Sequence, residues 1–89
     1  MDLNKIEMLG DWVLVETPGP QDEGVVVKSV LVNGLDDETK TLIKKPIIPI
    51  GTFIKFRSGN YGGKTIHFED GQKLYVAVSY GDIVYKETK

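Results

Sequence analysis

The sequence predicts an all-β domain, a small irregular barrel that is closed or nearly closed. Three observations carry that expectation. No window of eleven residues or more repeats apolar side chains at a helical period. Short apolar runs alternate instead with clusters of Gly, Pro, Asn and Asp, the residues that turn a chain. Seven such runs follow one another at short spacing, and closing them on themselves removes most free sheet edges.

Ile6 to Leu9 leads through Gly10-Asp11 into Trp12-Val13-Leu14-Val15-Glu16, where Trp12 and Leu14 share one face and Val13 and Val15 the other. Apolar residues on both faces imply burial or contact between subunits. Thr17-Pro18-Gly19-Pro20-Gln21-Asp22-Glu23-Gly24 follows; two prolines without amide donors and two glycines cannot hold a regular element, so this stretch reads as a flexible loop. Val25 to Val32 holds six aliphatic residues in eight, too many for a surface strand, and ends at the turn signal Asn33-Gly34. From Leu35 to Lys45 the chain reads as a hairpin projecting into water, with Asp36, Asp37 and Glu38 near its tip. Pro46 and Pro49 bracket Ile47-Ile48 in an extended, edge-like path. Thr52 to Arg57 is a half-buried strand with Ile54 and Phe56 on one face. After the loop Ser58–Gly63, Lys64 to Glu69 alternates with Ile66 and Phe68 inward, and Asp70-Gly71 turns the chain. Leu74 to Val78 and Ile83 to Tyr85 close the set, joined by Ser79-Tyr80-Gly81-Asp82.

Composition narrows function by exclusion. A chain of 89 residues makes one domain, burying roughly 60–65% of the surface its unfolded form exposes, so association with other copies would help it. Cysteine is absent, which removes disulfides, thiolate metal sites and thiol nucleophiles and fits a reducing, cytoplasmic setting. No segment approaches the ~20 apolar residues that span a bilayer, so no membrane role is expected. Eleven basic residues against thirteen acidic, with both signs scattered, lack the positive field that nucleic-acid binding needs.

Motifs for chemistry also fail on inspection. Gly59-Asn60-Tyr61-Gly62-Gly63-Lys64-Thr65 ends like a phosphate-cradling loop, but Ser58 stands where its first glycine belongs and a strand follows where a helix is required. His67, the single histidine, shares a polar strand face with Thr65 and Glu69 and reads as an exposed residue; no spacing of carboxylates supports a metal site. Serines have only His67 as a base and no strained nucleophile turn. Tyr61, Tyr75, Tyr80 and Tyr85 could stack bases in an oligonucleotide-binding barrel, but few basic residues interleave with them, and core or subunit packing accounts for them better. The expectation is a non-enzymatic protein without a cofactor.

From Pro49 to Lys86 the order of features resembles the small co-chaperonins of the GroES type. The residues that carry the likeness are Gly51-Thr52-Phe53-Ile54-Lys55-Phe56, Gly59-Asn60-Tyr61-Gly62, Glu69-Asp70-Gly71, Lys73-Leu74-Tyr75-Val76-Ala77-Val78 and Ser79-Tyr80-Gly81-Asp82-Ile83-Val84. Ile6 with Leu9-Gly10-Asp11-Trp12-Val13-Leu14-Val15 resembles the family's opening strand, so the likeness covers most of the chain. It implies a GroES-like β-barrel with a flexible loop and a projecting hairpin, assembled as a homo-oligomeric ring, in the family a heptamer. That ring caps a large GroEL-type chaperonin in its nucleotide-bound state and assists protein folding. Ile6, Met8 and Leu9 of one subunit and Ile83, Val84 and Tyr85 of the next would form the ring interface. The hairpin Asn33–Lys45 would contribute to the roof, and Tyr61 would lie in a loop facing the enclosed cavity.

The family docks through a disordered loop in which glycine precedes three aliphatic residues, and Gly24-Val25-Val26-Val27 matches that pattern. Three buried valines at ~1.5 kcal/mol each, less the entropy of ordering, make a weak contact that repetition around a ring turns into releasable capture. The sequence departs from the family in lacking a separate strand between this loop and the roof hairpin. Either the valine tripeptide belongs to a shortened loop, or Val25–Val32 is wholly strand and the loop is Thr17–Gly24. A divergent, bacteriophage-type member fits the compact loop. The alternative is a GroES-like barrel used as a structural or assembly protein, for example in a virus particle, without chaperonin binding.

Overall fold

A computed structural model describes residues 2–18, 22–59 and 62–87, apart from the side chain at position 68. Among these, the strands are β1 (Trp12–Thr17), β2 (Glu23–Ser29), β3 (Leu31–Leu35), β4 (Leu42–Pro46), β5 (Phe53–Phe56), β6 (Thr65–Asp70), β7 (Lys73–Ser79) and β8 (Ile83–Glu87). Short 3-10 turns occupy Leu3–Lys5 and Tyr80–Asp82. The protein is all-β, as its apolar periodicity predicts.

Six strands form one antiparallel sheet in the order β6-β7-β1-β2-β5-β8, and β3 pairs with β4 in a separate hairpin. β1 takes a central place because both its faces are apolar: Val13, Leu14 and Val15 are all buried. Val13, Val15, Val26, Ile54, Phe56, Val76 and Val78 gather from four adjacent strands into one core with Ile48. Each such side chain contributes about 1.5–3 kcal/mol on burial, which is how a sheet this small holds.

The sheet is open at β6 and β8, so the expected closure is corrected. Both edge strands start at one corner, where the Asp82 carboxylate accepts the Lys64 amide at 2.7 Å and its carbonyl accepts the Arg57 amide at 2.8 Å. Strand direction alternates across the sheet, so two edges leaving the same corner run in opposite senses and share no ladder.

Four local expectations also change. Asn33-Gly34 lies inside β3, opposite Lys44 and Ile43, and the reversal comes later, at residues 36–41. There Asp36 organises the turn: its side chain accepts the Glu38 amide and the Thr39 hydroxyl, and its carbonyl accepts the Lys40 amide. Val25–Val32 is two strands, divided at Val30, whose amide bonds Trp12 and whose carbonyl accepts the Ile47 amide. The path from Ile47 to Pro49 belongs to no strand, and Ile48 drops into the core. Ile66 is 57% exposed where an inward position was expected. It pairs with Ala77, on the face opposite Val76 and Val78; the positions of β6 on the core side are Thr65 and His67, at an edge the core does not reach.

Candidate functional site

The segment joining β1 to β2 is the first candidate surface, and it is shorter than the sequence suggested. Thr17 is buried in β1 and pairs with Leu74. Glu23 pairs with Lys55, and the Asp22 carbonyl accepts the Phe56 amide at 2.8 Å. Thr17, Asp22 and Glu23 are therefore held by strand pairing or backbone bonding, and do not belong to a free loop. Of the remaining loop residues, Pro18 is exposed, while Gly19, Pro20 and Gln21 lie outside the described residues.

Gly24, Val25, Val26 and Val27 all lie in β2. A Cβ at Gly24 would sit 2.5 Å from the Glu16 carbonyl oxygen, so glycine here answers to close strand packing. The β1–β2 register then slips: Val15 faces Val26, but Leu14 faces Lys28, leaving Val27 as the extra residue of a bulge. The slip gives three adjacent valines three environments. Val26 is fully buried in the core, Val25 is 40% exposed, and Val27 turns toward a surface groove.

That groove, of about 680 Å³, is lined by Ile6, Met8 and Leu9 of the N-terminal arm, by Val27, and by Leu31 and Pro46 at the root of the β3–β4 hairpin. The arm is anchored at its start, where the Lys28 ammonium donates to the Leu3 carbonyl at 2.8 Å. Ile6 has extended backbone angles, and among the described residues no strand pairs with residues 6–9.

β8 presents the second surface. It pairs with β5 on one side only, and a register slip opposite Lys55-Phe56 leaves Val84 unpaired in the ladder. Ile83, opposite Phe56, packs against the core, whereas Val84 is 62% exposed and Tyr85 also reaches solvent. The six residues expected at a subunit interface thus fall into an unpaired extended arm and an unpaired strand edge. Tyr61 lies outside the described residues.

The third surface was missed at sequence level. β3 and β4 pair Leu35 with Leu42, Asn33 with Lys44 and Leu31 with Pro46, which puts these six on one face of the hairpin. Leu31, Leu35 and Leu42 are all exposed. Reading Asn33-Gly34 as the turn hid the pairing that brings these leucines together.

Among the described residues no cluster of three His, Asp or Glu side chains could hold a metal ion, and no helix is long and apolar enough to cross a membrane. No family model, curated protein or solved structure matches the chain.

Proposed function

We propose that this chain is a non-enzymatic co-chaperonin: a GroES-like β-domain, open as a single copy, that assembles into a ring and closes the chamber of a large, nucleotide-bound chaperonin to assist folding. One observation carries the proposal. Among the described residues, the apolar arm has no strand partner and the outer edge of β8, lined by exposed Val84 and Tyr85, has no neighbour. Such an arm and edge complete each other between copies, and a head-to-tail contact of this kind closes into a ring when its rotation permits. A heptamer, as in the family the sequence resembles, is the expected size, and the cytoplasm the expected setting.

Docking to the chaperonin falls to the segment from Pro18 to Val25, with Val25 as its exposed aliphatic anchor. Val26 takes no part, being committed to the core. One anchor per subunit is weak, and repetition around the ring supplies the affinity. The short connection fits a divergent, bacteriophage-type member. Native mass spectrometry and co-elution with a GroEL-type chaperonin test the reading: a ring that co-elutes only with nucleotide is expected, and a monomer that never co-elutes sinks it.

The burial of Val26 favours a second reading, a barrel that serves as a structural or assembly protein without chaperonin binding. Val25→Ser separates the two. A lid keeps its ring and loses the chaperonin, whereas an assembly protein shows no chaperonin binding before or after the change.

A further inference from the structure

The outer end of the hairpin's leucine face and the arm groove are both exposed apolar features, and they carry complementary charge. We infer that the outer end of the β3–β4 hairpin of one copy seats in the arm groove of the next. Leu42 is 76% exposed and Leu35, its cross-strand partner, 54%, a degree of exposure that two adjacent leucines keep at a docking surface. Beside them Asp37 and Glu38 hold side-chain carboxylates with no partner among the described residues, while Asp36 is used up within the turn. The groove offers the matching chemistry: apolar walls at Met8, Leu9 and Ile50, and the positive charges of Lys44 and of Lys28, the latter also bonded to the Leu3 carbonyl, against the acid Glu7.

The hairpin cannot fill its own groove. Leu31, Lys44 and Pro46, at its root, are part of the groove wall. Leu42 stands two residues up β4 from Lys44 on the same face, about 7 Å at the usual rise of a strand, so it continues the groove wall, and a paired ribbon does not fold back on itself to fill it. A second copy is therefore the occupant that supplies both the leucines and the acids. A tip-in-groove contact closes a dimer where it is reciprocal and propagates around a ring where it is head-to-tail, and the head-to-tail form is the one that fits the ring proposed above. It uses neither β8 nor the Pro18–Val25 segment, but its groove is walled by Met8 and Leu9 of the arm, so it rests on the arm taking part in assembly as proposed above.

The absence of cysteine allows a direct test. Leu42→Cys and Ile50→Cys preparations are mixed, oxidised and analysed by peptide mass spectrometry. A cross-link between positions 42 and 50 is expected in at least about tenfold excess over 42–42 and 50–50 links, the bias a specific contact gives over random collision. A statistical mixture, a dominant 42–42 link or no link overturns the inference. In parallel, Lys44→Glu should weaken association and Glu38→Lys added to it should restore it. Restoration supports the contact, and an assembly indifferent to both changes contradicts it while leaving the β8 interface standing. Conversely, a clear 42–50 link in a protein that ignores chaperonin would defeat the lid and keep the hairpin contact.

Discussion

At Val27 the β1–β2 ladder skips one residue, and the consequences of substitution follow from that skip. Val26→Ser removes apolar volume and places a hydroxyl among the apolar side chains of the core, and should cost about 2–3 kcal/mol, read as a fall in the denaturant midpoint. Val25→Ser, at a site 40% exposed, should leave that midpoint within about 0.5 kcal/mol of the parent. Gly24→Ala drives a methyl against the Glu16 carbonyl and the Val15 side chain, and should destabilise by about 1–3 kcal/mol in the same assay. Lys40 is held at φ 59° in the hairpin turn, a conformation that strains any side chain. Lys40→Gly should therefore raise the thermal midpoint, by the equivalent of about 0.5–1 kcal/mol. The environments of Gly24 to Val27 could not be read from Gly-Val-Val-Val alone, because a bulge reverses the inside-outside order without leaving a mark in composition.

Strands were legible as elements wherever apolar residues alternated between turn residues; Ile54 and Phe56 of β5 point inward as their spacing predicted. Faces were less legible, because alternation says that two faces differ and leaves open which one meets the core. β6 shows the cost. Ile66 is the more apolar choice for the interior, yet pairing with Ala77 turns it outward, and only the register of a strand distant in sequence decides this. Asn33-Gly34 misled for a related reason: the Asp36 side chain builds the actual turn, and a two-residue signal gave way to a longer loop with more hydrogen bonds. At β8, Val84→Lys places a charge on the open edge and should abolish ring assembly in sedimentation velocity while sparing the monomer fold, since the residue is 62% exposed. A lysine variant that still assembles would remove this edge from the interface.

For the molecule as a whole, the order β6-β7-β1-β2-β5-β8 joins strands far apart in sequence and had no local signature, which is why an open sheet was read as a barrel. The gap between β6 and β8, the arm at residues 6–9 and the exposed leucines of the hairpin are all surfaces that the described residues of a single copy leave uncovered. The proposed ring would cover them, and weak repeated anchors at Val25 would suit it to capping a chamber that must reopen. Sedimentation velocity with a GroEL-type chaperonin, with and without nucleotide, tests that claim most directly. The chain should sediment alone as a closed oligomer and move with the chaperonin only when nucleotide is present. A chain that stays monomeric at concentrations well above micromolar and never moves with the chaperonin would contradict it.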